Sequence, residues 1–138
     1  MRTVHATRFV VCLLLLLGLL FTSCEGNTRL DWRLNNQSSS DLYVIHKAWD
    51  YANVFPDTLF VGAGEELILG TNDLLGGNSQ AYAPASFIDT LFILNNSGTY
   101  CTKDWQETAA WEIQSEQVRK IPSNWEHIYR LSVDDGDF

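Results

Sequence analysis

The sequence lacks most of the features that catalytic and cofactor sites require. After residue 24 it contains one cysteine, Cys101, so no disulfide can form within that part of the chain. Its two remaining histidines, His46 and His127, are not spaced like zinc ligands or a catalytic pair, and no Gly-x-Ser-x-Gly elbow or glycine-rich phosphate loop is present. We therefore predict a protein without catalytic residues, metal or cofactor, which is not an enzyme.

Positive charge is also scarce. The chain has 9 Lys and Arg against 17 Asp and Glu, a formal net charge of −8. Phosphate recognition needs clustered basic side chains, whereas here they are scattered along the sequence, so we expect no nucleic-acid partner. The acidic excess is typical of a solubilising surface.

The apolar run at the start of the chain, from Phe9 to Phe21, is shorter than the ~20 residues that a membrane-spanning helix needs. It follows the basic residues Arg2 and Arg8, and Ser23 then precedes Cys24. A charged start, a short apolar run and small residues at the cut are typical of a secretory signal, and the cysteine indicates a lipoprotein. We predict a signal helix cleaved before Cys24, which then carries the lipid.

This interpretation divides the chain into three parts. Residues 1–23 are the signal peptide, residues 24–29 a short polar tether, and residues 30–138 one domain. Cleavage leaves 115 residues with a formal charge of −10, because two basic side chains leave with the signal. That length suffices for a single domain.

Alternating apolar and polar residues predict strands in this domain. Leu30, Trp32 and Leu34 alternate with Asp31 and Arg33, which indicates a strand with one buried face. Similar segments occur at 42–46, 58–61, 66–69, 86–94, 99–102 and 129–133, and 103–120 is interpreted as a short helix or loop followed by a strand. About seven short strands predict an all-β fold, a small antiparallel β-sandwich that is immunoglobulin-like or related.

Two details of strand pairing can be predicted. Gly62 and Gly64 indicate a tight connection, so segments 58–61 and 66–69 could pair as a hairpin. The segment 86–94 is apolar on both faces, which is typical of a strand in the centre of a sheet. The acidic ending 134–138 lacks the ligand spacing of a calcium loop and is predicted to be a solvated tail.

Five short motifs are shared with a known group of proteins. They are the signal ending in Cys24, the sequence Asn35-Asn36-Gln37-Ser38-Ser39, the Pro56-Asp57-Thr58 step, the Phe87-Ile88-Asp89-Thr90 strand and the Tyr129–Phe138 ending. In these the chain resembles small uncharacterised lipoproteins of the Bacteroidota. The resemblance implies a β-sandwich anchored in the cell envelope, at the outer membrane.

The resemblance also implies two modification sites. The group attaches O-glycans where Asp-Thr or Asp-Ser precedes an apolar residue, and this pattern occurs at Thr58 and at Thr90. Both are therefore candidate acceptors. The alternative is that both are ordinary strand threonines.

Aromatic residues suggest a ligand site. Trp49 and Tyr51 lie in an irregular segment and Trp105 follows a turn, so these three could form a platform for a glycan or peptide. Alternatively, the rings close the ends of a small sandwich. We predict a non-catalytic interaction or accessory module of the cell envelope, held to the membrane by lipid on Cys24, that binds an envelope protein or glycan. The alternative function is a carbohydrate-binding module that uses the loop aromatics.

Overall fold

The computed structural model describes residues 25–48 and 57–138. The predicted signal peptide and Cys24 lie outside the described residues. In the described ranges seven strands form two sheets, and this confirms the predicted all-β sandwich. The strands are β1 (Asn27–Asn36), β2 (Leu42–Ala48), β3 (Asp57–Val61), β4 (Glu66–Leu75), β5 (Ile88–Asn95), β6 (Trp111–Arg119) and β7 (Asn124–Val133). Within these ranges no helix is long and apolar enough to cross a membrane.

One sheet has four strands in the order β4-β1-β7-β6, and the other has three in the order β3-β2-β5. All neighbouring strands are antiparallel except β1 and β7, which run parallel from Thr28↔Trp125 to Asn36↔Val133. The purely antiparallel prediction was therefore wrong for this pair. The two strands are adjacent in space although the whole domain separates them in sequence.

The core lies between the two sheets and follows the period of two. Leu30, Trp32 and Leu34 of β1 are at most 4% exposed, as their alternation predicted. Trp32 stacks on Tyr129 of β7, with ring centroids 5.3 Å apart. The other buried apolar residues are Leu42, Val44, Val61, Leu69, Ile88, Leu91, Ile93, Trp111, Leu131 and Val133.

The predicted hairpin between segments 58–61 and 66–69 is wrong. β3 pairs with β2, whereas β4 pairs with β1 in the other sheet. Residues 62–65 therefore cross between the sheets. The side-chain amide of Asn36 holds the crossing in place, because it donates to the carbonyl oxygens of Val61 at 3.3 Å and Gly62 at 3.0 Å. β4 is also longer than the predicted segment 66–69, because it continues to Leu75.

The strand that was predicted to be central, β5, lies at an edge. The centre of its sheet is β2, and a single bridge between Leu94 and Tyr100 extends the other side of β5. Leu91 and Ile93 face the core, whereas Phe92 between them is 52% exposed. β5 is thus apolar on both faces because the side chain of Phe92 points outward, and not because the strand is central in its sheet.

The acidic ending is folded rather than a solvated tail. Asp135–Asp137 form a 3₁₀ helix, and Asp134 and Asp137 complete a reciprocal cap. The carboxylate of Asp137 also contacts Lys103 Nζ at 2.8 Å. The predicted loop-then-strand at 103–120 is confirmed by a 3₁₀ turn, Thr108–Ala110, which leads into β6.

Candidate functional site

The outer surface of the three-stranded sheet carries four exposed aromatic side chains, which we call the aromatic face: Tyr43, Phe60, Phe92 and Tyr100. Their exposed fractions lie between 45% and 58%. They come from β2, β3, β5 and the segment that bridges to β5. In the described ranges, eight large apolar side chains are exposed, and half of them belong to this face.

The strand register makes the aromatic face continuous. Tyr43 lies directly opposite Phe60 on one side and Leu94 on the other, and Leu94 in turn bridges to Tyr100. One step along the sheet, Ile45 lies between Thr58 and Phe92. Two edge-on ring pairs stabilise the arrangement, Tyr43 with Phe60 at 5.8 Å and Phe92 with Tyr100 at 6.2 Å. Aromatic rings gathered in this way on a sheet are typical of an interaction surface.

A shallow groove of about 410 Å³ adjoins the aromatic face. Its wall is formed by the β5 residues 91–93, by Tyr100 and by the segment 101–106 that follows Tyr100. Lys103 lies in this segment, but its ammonium group already contacts Asp137 and donates to the backbone oxygen of Ser132 at 2.7 Å. The groove therefore combines aromatic walls with polar groups that are partly engaged in the fold.

Cys101 lines the same groove and is half-buried. Burial raises the pKa of its thiol, and the backbone hydrogen bond from Lys103 only partly opposes this effect. A raised pKa disfavours the thiolate, which is the nucleophilic form. The raised pKa thus makes Cys101 a poor candidate for a nucleophile in the groove.

Of the three predicted ligand-binding aromatics, Trp105 lies in the described part of the chain. Trp49 and Tyr51 lie outside the described residues. Trp105 is partly buried, packs against the core and lines the groove. Part of the Trp105 ring thus packs on the core, as the alternative to a ligand site predicted. The rest of the ring faces the groove.

Both candidate glycan acceptors lie in the three-stranded sheet, on the side away from the core. Thr58 of β3 is exposed and pairs with Ile45. Thr90 of β5 is only partly exposed and pairs with Lys47, whose ammonium group contacts Asp89 at 3.1 Å. Thr58 is thus the more accessible of the two.

Sequence reasoning missed a buried polar contact at His127. Its Nδ1 lies 2.7 Å from Ser115 Oγ, and its Nε2 lies 3.0 Å from the backbone oxygen of Asn78. A carbonyl oxygen only accepts, so we assign the ring proton to Nε2, and the serine hydroxyl donates to Nδ1. Nε2 thereby holds the loop after β4 against the sheet, and Nδ1 links the ring to β6. The cross-strand pair Ser115↔His127 follows from the β6–β7 register, which the sequence spacing does not reveal.

The four-stranded sheet presents a different outer surface. A connected set of ion pairs, which we call the ionic face, covers it: Arg29, Asp31, Arg33, Glu66, Glu112, Glu126 and Arg130. The Arg130 hydrogen bond at 2.7 Å lowers the pKa of Glu66, although partial burial opposes this effect.

No group of three or more His, Cys, Asp or Glu residues in the described ranges is arranged to hold a metal ion.

Comparison of the chain with protein-family models, curated proteins and solved structures gave no match. Its function must therefore be argued from its own surfaces.

Proposed function

We propose that the protein is a non-catalytic interaction module of the cell envelope, anchored by lipid on Cys24, and that the aromatic face binds a partner protein. The observation that supports this proposal is the cluster of four half-exposed aromatic rings on one sheet surface. Tyrosine and phenylalanine are enriched at protein interfaces because a rigid ring buries a large area at a low entropic cost. Each charged side chain of the ionic face has an ion-pair partner within the domain, so the aromatic face is the better candidate for a partner protein.

Photo-cross-linking in intact cells tests the proposal. A photoreactive phenylalanine analogue at Tyr43 is expected to give a discrete protein adduct, because this position is central to the aromatic face. The same analogue at Gln114, an exposed position of β6, is the matched control. Equal adducts from both positions, or none from position 43, would contradict partner binding by this face.

Lipid anchoring has its own test. The intact mass of the mature chain, isolated from membranes, is expected to correspond to residues 24–138 plus acyl groups. A Cys24→Ala variant is expected to leave the membrane fraction. If the wild-type chain carries no acyl mass, the anchoring part of the proposal fails while the aromatic face stays testable.

The groove supports carbohydrate binding as a second candidate function. It places Trp105 beside the polar residues Thr102, Asp104 and Gln106, and sugar sites combine a ring with nearby polar groups. A Trp105→Ala variant is expected to lose glycan affinity in calorimetric titration while remaining folded. If the variant unfolds instead, the ring is essential to the core and this candidate fails.

We also propose O-glycosylation at Thr58, which rests on the resemblance to Bacteroidota lipoproteins and on the exposure of this residue. A Thr58→Ala variant is expected to lose the glycan mass from the intact protein. Thr90→Ala is the matched variant, and a smaller loss is expected there because Thr90 is less exposed. An unchanged mass in both variants would exclude both sites.

A further inference from the structure

Three backbone segments meet at one end of the sandwich, which we call the β1 pole: Gly26 before β1, Gly76 and Gly77 after β4, and Ser123 in the β6–β7 turn. The nitrogen of Gly76 donates to the oxygen of Gly26 at 2.8 Å, and Asn27 donates to Asn124 Oδ1 at 3.0 Å. A Cβ atom on Gly26 or on Gly77 would overlap the backbone oxygen of Ser123. Glycine is therefore required at both positions, and the three segments form one fixed unit.

The β1 pole lies next to the lipid anchor that we propose. Cys24 precedes Gly26 by two residues, and two residues span at most about 7 Å of extended chain. Gly26 is itself fixed against the sandwich, so the anchor cannot hold the domain far from the bilayer. Of the six-residue tether predicted from the sequence, residues 27–29 belong to β1, and this shortens the linker further.

The two most exposed large apolar side chains in the described ranges lie at the same pole. Leu75 is 87% exposed and Ile121 is 80% exposed. Each lies two residues from the Gly77–Ser123 contact that joins the two turns. Val118, at the irregularity near the end of β6, is a third exposed apolar residue close to this turn. Exposed apolar side chains beside a lipid anchor are suited to the interfacial region of a bilayer.

The charges along the domain favour the same orientation. Arg119 and Lys120 are both exposed and immediately precede Ile121, in a chain that has few basic residues. Acidic side chains also occur at this end: Glu25 precedes β1, and Asp73, Glu116 and Glu126 lie level with Arg29 on neighbouring strands. Basic and acidic side chains are therefore nearly balanced at the β1 pole. Basic residues next to apolar ones are typical of contacts with anionic lipid head groups.

The opposite end of the domain is acidic. Ser39 contacts Asp135 at 2.9 Å, and Ala63 donates to Asp41 at 3.1 Å, which places these carboxylates at the end of β1 and its neighbours. Glu65 lies at the same end, because its backbone oxygen accepts a hydrogen bond from the backbone nitrogen of Asn36. Anionic lipid would repel this end more strongly than the nearly balanced β1 pole.

From these observations we infer that the β1 pole, through Leu75, Ile121, Arg119 and Lys120, is a second membrane contact that docks on anionic phospholipid and orients the domain. The inference rests on the proposed lipid anchoring. With the β1 pole on the bilayer, the strands stand away from the membrane and the aromatic face is directed sideways, where a neighbouring envelope protein can reach it.

Depth-dependent fluorescence quenching tests the inference on the lipidated full mature chain. An environment-sensitive fluorophore is attached at Ile121→Cys or Leu75→Cys in a Cys101→Ser background, and the chain is reconstituted in vesicles of phosphatidylglycerol and phosphatidylethanolamine. Ala63→Cys, an exposed position at the acidic end, is the matched control. Spin-labelled lipids are expected to quench the fluorophores at 121 and 75 several-fold more than the fluorophore at 63.

Vesicle flotation separates the two possible failures. A chain that floats with the vesicles but is quenched equally at 121, 75 and 63 would overturn the docking inference and leave lipid anchoring intact. A chain that does not float would overturn both.

Charge reversal tests the role of the basic residues. The double variant Arg119→Glu and Lys120→Glu is expected to reduce quenching at 121 several-fold on anionic vesicles, because it replaces attraction to the head groups by repulsion. Unchanged quenching in this variant would contradict the selection of anionic lipid.

Discussion

The outer faces of the two sheets differ in the side chains that they expose to solvent. On the four-stranded sheet, Arg33 pairs with Asp31 at 3.4 Å and with Glu66 at 3.1 Å, although its Nε is buried without a hydrogen-bond partner. On the three-stranded sheet, half-exposed rings contact each other edge-on and leave the rest of their surface uncovered. The comparison indicates that the ionic face contributes to the stability of the domain, whereas the aromatic face is available for binding.

Among variants of the two outer faces, the largest expected effect of one substitution on stability comes from breaking the ionic face at Asp31. Its side chain is only 5% exposed and lies between Arg29 and Arg33. Asp31→Ala leaves these cations without their shared carboxylate, and we expect a loss of about 1–3 kcal/mol in the free energy of unfolding. Urea denaturation measures this change. A loss no larger than that of Glu112→Gln, at a 67% exposed side chain, would show that the ionic face does not stabilise the fold.

A smaller effect is expected at Glu66, and it depends on pH. Because Arg130 lowers the pKa of the folded carboxyl, the stabilisation is present above the unfolded pKa and is lost as the pH falls through the folded pKa. Glu66→Gln is expected to be less stable at neutral pH by about 1 kcal/mol, the value typical of a charge-assisted hydrogen bond that is partly exposed. Thermal unfolding between pH 7 and pH 2 should show the two proteins converging in acid. A constant difference across this range would contradict the assignment.

On the aromatic face the expected effect is on binding more than on stability. Replacing Phe60 and Phe92 together by serine removes rings that are already half-exposed, so we expect a loss of about 1 kcal/mol per ring in the free energy of unfolding. The same double variant is expected to abolish the adduct formed from position 43 in cells. Ile93→Ser, at a buried neighbour of Phe92, is the control that should destabilise the fold strongly. If the double variant unfolds, the rings are structural. The contrast between the two faces is then lost.

The sequence predicted the positions of the strands more successfully than it predicted which strands pair. Trp32 alternates with charged residues and is buried, as a period of two requires. In contrast, Phe92 belongs to a strand that is apolar on both faces, and this pattern fits both a central strand and an edge strand with an exposed aromatic face. Only the order β3-β2-β5 distinguishes the two cases.

The candidate site was predictable only in part. Trp105 was recognised as an aromatic beside a turn, and it lines the groove. The four rings of the aromatic face were not recognised, because Tyr43 and Phe60 are separated in sequence and become neighbours through the β2–β3 register. The apolar residues at outward positions of β2 and β5 were the available signal.

The sequence by itself determined the alternation that buries one face of each strand, and with it the all-β class, because side-chain direction along a strand is a local property. It also carries the signal-like segment that predicts lipid on Cys24. Only the tertiary structure decided that β1 pairs with β7, that β4 pairs with β1 and not with β3, and that four separated aromatic residues share one surface. These contacts depend on pairing energies between residues that are far apart in the chain, which no local pattern encodes.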